Sequence, residues 1–372
     1  MKMRQNYLPL SLLTITLGLC STIMVQAQPV EKKINKTFNV NSDTELHIAN
    51  TFGKVHIDTW DKNQIQAQIT IKAESKGGNS QELLDRISID IDESSSQVSL
   101  RTEIENKRNW GKRNQKFEID YLVKMPKANP LDLTNRHGDI FLDNFDGRLD
   151  LDLAHGQLVT EKLSGEVDIS VAHGNGGRIL SATKGDLEMR HYQRMRIGYL
   201  GNMEVDVAHA GFELEKAGNL NLESQHTNFE IDEIKDLRLY LQHGNAELGS
   251  VGSLSSDMQH SDIDIEELSQ SIEVDGSHSD VRVDRLSSGF KLVDFSGSHS
   301  YFGVGLSGNV NCSIEAKLDH GRMRYEKDKV NMSFVSIKDQ RAEYRGVMGS
   351  NKTPAAKIRV NGSFTDFNLD TE

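Results

Sequence analysis

Between Asn135 and Asp328 apolar and polar residues alternate in short bursts, and the bursts return at a nearly fixed interval. Leu149, Leu151 and Leu153 stand before His155; Leu237, Leu239 and Leu241 stand before His243. Alternation with period two predicts a strand with one buried face. Three and five residues after the histidine a second alternation follows: Phe212 and Leu214, Phe229 and Ile231, Ile263 and Ile265, Val281 and Val283. The inward offsets are even before the histidine and odd after it, so the chain must turn or bulge between them. Gly138, Gly156, Gly174, Gly244 and Gly321 each follow a histidine directly and are expected to supply permissive backbone there. Another apolar residue comes eight positions on (Leu163, Ile234, Val251, Leu268, Leu286), before a Gly-, Asn- or Ser-containing corner.

The histidines are the register mark: His137, His155, His173, His191, His209, His226, His243, His260, His278, His299 and His320, in steps of 18, 18, 18, 18, 17, 17, 17, 18, 21 and 21 residues. A short fixed period is the signature of a solenoid. Each repeat reads as two short strands and two corners, with no room for a helix. Stacked coils then pair in parallel, and the fold class is an all-β, right-handed parallel β-solenoid (β-helix) with rungs of 17–21 residues. At ~4.8 Å per rung, the ladder spans roughly 50 Å.

The pattern extends beyond the ladder. Leu46, Ile48, Val55, Ile57 and Trp60 fit the template with Phe52 in the histidine slot. Gly362-Ser363-Phe364-Thr365-Asp366-Phe367 repeats Gly276-Ser277-His278-Ser279-Asp280-Val281, with Phe364 in that slot. An aromatic hydrocarbon there, in what read as the outermost rungs, implies that the slot is at least partly buried. Residues 59–130 interrupt the repeat with strand-like runs at Ile65–Ile71, Ile87–Ile91, Val98–Thr102 and Phe117–Val123 and a short helix at Ser80–Arg86. The expected organisation is a signal peptide at 1–27, a β-rich cap with the first rung at 28–130, and solenoid repeats with C-terminal rungs at 131–372. Residues 329–355 read as an irregular, wider rung with a loop.

Lys2 and Arg4, the apolar run Leu8–Leu19 and Val25-Gln26-Ala27 have the form of a secretory leader cut after Ala27. The run is too short to span a membrane. Leu17-Gly18-Leu19-Cys20 is a poor lipoprotein site, kept as a minor alternative. The formal charge is −12, and −14 once the leader, whose only charges are Lys2 and Arg4, is removed. That surface argues against nucleic acid as a partner. Cys312 is then the one remaining cysteine, so no internal disulfide forms; its inward parity beside Ile314 makes it a core residue.

His137-Gly138-Asp139-Ile140, His155-Gly156-Gln157-Leu158 and Leu163-Ser164-Gly165-Glu166-Val167 resemble the repeats of a family of secreted bacterial β-solenoids of unknown function, known as putative adhesins, relatives of the head-GIN domains. Ala49–Val55 and Val360–Phe364 resemble the same repeats, and the likeness covers most of residues 44–370. The resemblance implies an extracytoplasmic right-handed solenoid with an adhesive or envelope role. It implies no catalytic residues. The near-unbroken histidine column departs from the Ser or Asn more usual in that slot.

Four features carry candidate chemistry. The histidine column reads as an architectural corner ladder, each imidazole stacking on the next and bonding a turn backbone group. The alternative is a metal column centred on His209, His226 and His243, although ~2.0–2.1 Å Zn–N bonds need donors closer than the ~4.8 Å rung spacing. Charging neighbouring imidazoles at an effective dielectric of 20 costs on the order of 3 kcal/mol per pair, so protonation should be resisted and stability lost as pH falls below ~6.5. An acidic stripe at Glu213, Glu215, Glu230, Asp232, Glu247, Asp264 and Glu266 reads as a solvated face, with a calcium or basic-partner face as the alternative. The basic loop Lys107, Arg108, Trp110, Lys112 and Arg113 reads as a hairpin tip that could dock an anionic glycan or lipid headgroup. No nucleophile elbow, phosphate loop or paired-carboxylate motif stands out, and uniform rungs leave little room for a cleft. The expectation is a non-enzymatic adhesin-like or scaffold protein of the bacterial envelope, without a cofactor and with glycan or envelope components as partners. A carbohydrate-active β-helix enzyme and a metal-binding envelope protein are the alternatives.

Overall fold

Asn228–Gln242 pairs in parallel, residue for residue, with Gly211–Gln225 on one side and Asn245–Gln259 on the other. The same relation runs from Leu158–Ala172 through Gly177–Arg190 and Met195–Ala208 to Asp262–Ser277. The computed structural model, which describes residues 29–75, 79–105, 115–306, 310–351 and 353–371, is a parallel β-solenoid of about 10 turns. The expected leader (1–27), the Cys20 site and the basic loop from Lys107 to Arg113 lie outside the described residues.

The two short strands expected per repeat are one long strand in the central rungs. In Gly211–Gln225 the buried positions are Phe212, Leu214, Ala217, Leu220, Leu222 and Ser224, so the step widens from two to three at the bends. Pairing continues through these bends because each residue finds the same backbone conformation directly above and below. The core is a file of Leu, Ile, Val, Phe and Met that each rung extends. Cys312 is buried in it, and that burial raises its thiol pKa to about 11.

Only the histidine corner breaks the strand. Ten histidines, from His155 to His320, hold φ between 50 and 57°. Histidine is among the few non-glycine residues enriched in that left-handed region. The role expected of the following glycines holds at Gly138, with φ 142°, and is corrected at Gly156, Gly174, Gly244 and Gly321, which are not left-handed. They are glycines because the next coil is too close. A Cβ on Gly156 would lie 2.1 Å from the Gly138 carbonyl oxygen. At Gly174 it would meet the Tyr192 ring at 2.0 Å. Tyr192, itself at the position after a histidine, reaches across these two side-chain-free coils. Its hydroxyl donates to the Gly176 carbonyl (2.6 Å) and accepts from the Leu158 N–H (3.1 Å).

Further along, the position after the histidine carries Thr227, Ser261, Ser279, Ser300 and Thr365, all buried. Each hydroxyl donates to the carbonyl two residues back, at 2.9, 2.8, 3.0, 3.0 and 3.0 Å. These local bonds satisfy a corner that cannot pair its own backbone completely.

The ends depart from simple stacking. Glu45–Asn50 and Val55–Trp60 form the first coil, paired to Leu131–Asn135 and Ile140–Leu142 on one side and to Gln97–Ile104 and Gln115–Pro126 on the other. Antiparallel strands continue outward through Gln64–Ser75 to Val30–Asn39, whose outer edge carries Lys32, Lys33 and Lys36. A short helix, Ser80–Asp85, buries Leu83 and Leu84 against this end. At the other end the coils are out of sequence order. Ala356–Ser363 inserts between Leu292–Ser298 and Cys312–Asp319. Asp366–Thr371 inserts between Tyr301–Leu306 and Met323–Tyr325. Phe364 is therefore not in the outermost rung. The segment expected to be irregular forms a hairpin, Val330–Lys338 with Arg341–Met348, that caps Cys312–Asp319. Its alternation was hard to read because Val330–Lys338 is mostly exposed, so neither face is consistently apolar.

Candidate functional site

The left-handed corners from His155 to His320 leave the imidazoles exposed, and with His137 their rings stack. Centroids are 4.8 Å apart for His209–His226 and 4.9 Å for His226–His243, with planes within 7°. From His137 to His299 the separations run from 4.7 to 5.2 Å without a break. Phe52 continues the stack beyond His137 at 4.9 Å. At the other end the order is His299, Phe364, His320.

The slot is exposed at the ladder histidines and at Phe364, which corrects the expectation of burial there; at Phe52 it is partly buried, the ring packing on the core and edge-on to Phe117 at 4.7 Å. Every ladder histidine is exposed, and Phe364 is 50% exposed. The faces are covered by neighbouring rings while the edges stay in water, so Phe364 fits by stacking. The expected bonds from imidazole to turn backbone are also not made. His278 Nδ1 meets Ser277 Oγ at 3.2 Å and His320 Nδ1 meets Asp319 at 3.2 Å. Among the described residues the other ladder imidazoles have no hydrogen bond to protein through their ring nitrogens. The backbone N–H does the structural work instead, as in His155 donating to the Ala172 carbonyl at 3.0 Å.

Parallel rings at this spacing do not present two nitrogens to one ion, since ~2.0–2.1 Å bonds limit the donors to about 4.2 Å apart. No group of three or more His, Cys, Asp or Glu side chains converges on a metal position among the described residues. His137, exposed at its edge but covered on its faces by Phe52 and His155, has its pKa lowered, first by this partial desolvation and then by the charges His155 and Arg136 would place beside it.

Glu213, Glu230, Glu247 and Asp264 do form one column, as their parity requires. Glu215, Asp232 and Glu266 lie two residues further along the same rungs. The column is closed at both ends by cations. Arg196 and Arg194 reach Glu213 at 3.3 and 3.1 Å, and Arg282 reaches Asp264 at 3.5 Å.

A second acidic column, outside the stripe named from the sequence, runs along the strands that precede the histidines. Asp132, Asp150, Asp168, Asp186 and Glu204 follow one another in register, five residues before successive histidines. Glu188, Asp206 and Glu223 form the neighbouring file, and a shallow groove of about 440 Å³ runs over both. Partial burial, then Asp132 and Asp168, push the Asp150 carboxyl above its usual range. Partial burial likewise raises Asp206, opposed by Arg190 at 2.6 Å. The signal lies in the strand before each histidine, where these carboxylates occupy the outward positions between the apolar ones.

No protein-family model matches the chain, and no curated protein matches it. Three similar solved structures are a putative cell adhesion protein from Clostridium sporogenes (9% identity, 93% of this chain and 100% of that chain, TM-score 0.19), a putative adhesin from Parabacteroides distasonis (10%, 73% and 96%, 0.27) and a putative lipid binding protein from the same species (8%, 73% and 96%, 0.26). At such scores these likenesses assign neither fold nor function, and the solenoid rests on its own strand registers. No helix of the described residues is long and apolar enough to cross a membrane.

Proposed function

We propose that this chain is a non-enzymatic, adhesin-like or scaffolding protein of the bacterial envelope, acting outside the cytoplasm after cleavage near Ala27. The observation that carries this reading is the unbroken exposed histidine column, with centroids 4.7–5.2 Å apart from His137 to His299. A repeating side-chain file is suited to contacting an extended partner at many weak points, where multivalency supplies the affinity. A catalytic site needs an acid, a base or a nucleophile converging on one place; the ionisable groups here run in lines. The leader-like N-terminus supports export. The test is co-sedimentation of the purified protein with isolated bacterial envelope. Saturable binding without release of new reducing ends from envelope polysaccharide is expected. Failure to sediment, or turnover of the polysaccharide, would sink the proposal.

A further inference from the structure

Along its middle, from His155 to His243, the histidine column is flanked mostly by uncharged amides, whereas Asp139, Asp262 and Asp280 take the same place at its ends. From His155 to His243, the residue two beyond the histidine is Gln157, Asn175, Gln193, Asn228 or Asn245, all exposed, with Gly211 as the one exception. On the other flank Gln225, Gln242 and Gln259 directly precede His226, His243 and His260. The amides are themselves linked along the rod: Asn228 Oδ1 accepts the Asn245 N–H at 2.9 Å, and Gln242 donates to Gln259 at 3.4 Å.

The stacking decides what such a strip can bind. A sugar ring normally packs its face on an aromatic face, but here both faces of each imidazole are taken by its neighbours, with planes 3–7° apart from His191 to His260. Only ring edges remain, and an edge offers an N–H donor or a nitrogen lone pair. Once protonated, imidazole is a donor at both nitrogens. Carboxamides beside it bond hydroxyls. The combination suits a chain that carries carboxylates and hydroxyls at a regular short repeat.

We infer that the strip from His155 to His243 is a binding site for a linear anionic glycan, a polyuronate, taken up as the imidazoles acquire protons. This rests on the adhesive reading above and names its ligand class. The ionisable groups nearest along the chain are known. Asp152, Glu188, Asp206, Glu223 and Asp257 stand three residues before a ladder histidine, and Arg190 stands one before. Asp262 stands two after His260, Arg194 three after His191, and Glu213, Glu230, Glu247 and Asp264 four after a ladder histidine. These carboxylates repel a polyanion as long as the imidazoles between them are neutral, which is why uptake is tied to protonated imidazoles. Adjacent imidazolium ions repel, and a polyanion laid along their edges removes that repulsion, so glycan binding and proton uptake reinforce each other.

The experiment is calorimetric titration of the purified protein with polygalacturonate at pH 5.5 and pH 7.5, against a neutral β-glucan, with zinc chloride in a separate arm. The variant is His209→Asn/His226→Asn/His243→Asn, because asparagine accepts the left-handed corner; circular dichroism and the melting point verify that it folds. Binding to polygalacturonate at least about tenfold tighter at pH 5.5 than at pH 7.5, weakened about tenfold or more in the variant, supports the inference; tenfold corresponds to ~1.4 kcal/mol. Equal binding at both pH values, equal binding by the folded variant, preference for the neutral glucan, or zinc binding alone lost in the variant would each overturn it. The envelope reading fails separately, on sedimentation, so the two outcomes are distinguishable.

Discussion

Phe364 stacks on His320 with centroids 4.4 Å apart, although His320 belongs to the coil that precedes Phe364 in the chain and lies outside it in space. The last coil has slipped inward, so that Phe364 meets His299 on its other face at 4.8 Å. Cys312–Asp319 is thereby left next to the hairpin that closes the rod.

Cross-linking tests this order. Ser298 and Ser363 are direct partners on adjacent strands, within the 4.4–6.8 Å Cα range of a disulfide. Ser298→Cys/Ser363→Cys, made with Cys312→Ala, should oxidise readily to a bridged species on a non-reducing gel. Ser298→Cys/Asp319→Cys should not, since two rungs separate those positions by ~9.6 Å. The reverse pattern would mean that the coils follow sequence order.

The left-handed corner predicts a sharp residue preference. His226 has φ 51°. His226→Asn should change stability by less than ~0.5 kcal/mol, whereas His226→Val, β-branched and excluded from that region, should cost about 1–3 kcal/mol. Urea midpoints decide the matter. Equal loss for both variants would show that the ring stack, rather than the backbone, sets the preference.

The carboxylate file predicts that removing a charge stabilises the fold. The Asp150 carboxyl is raised by partial burial and by Asp132 and Asp168. A carboxyl raised in the folded state binds its proton more tightly there, so its contribution to stability is greatest at low pH and is lost as pH rises through the carboxyl range. Asp150→Asn should raise the urea midpoint at pH 7 by an amount worth about 0.2–1 kcal/mol, the usual size of a like-charge cross-strand penalty. The gain should shrink at pH 4. A lower midpoint for the variant at pH 7 would contradict this.

His137 predicts the opposite slope. Its pKa is lowered, mainly by partial desolvation, with His155 and Arg136 adding to it. A base lowered in the folded state contributes stability that is present above the unfolded value of ~6.5 and lost as pH falls through the folded value. An NMR titration should place His137 below 6.5. His155→Asn should move it part of the way back, because Phe52 still covers the other face. No movement would remove the neighbouring imidazole from the account.

The repeat, its period and its parallel stacking were legible because a coil that pairs with its own copies must present the same residue type at the same place on every turn. His155, His173 and His191 therefore announce the register without any tertiary information, and Leu149, Leu151 and Leu153 announce the buried face. The exposed stack was only half legible. Spacing shows that imidazoles align, but whether the slot faces core or water depends on the φ of the corner; Phe52 is partly buried as expected, while Phe364 and the histidines are exposed. The inward slip of Ala356–Thr371 could not be read at all, since equivalent coils carry nearly interchangeable apolar patterns and only the closing hairpin at 330–348 decides which coil is outermost. Sequence thus determined the rung, through local alternation repeated in kind. Tertiary structure decided the order of the last rungs and the exposure of the histidine edges, because both depend on which coil packs against which.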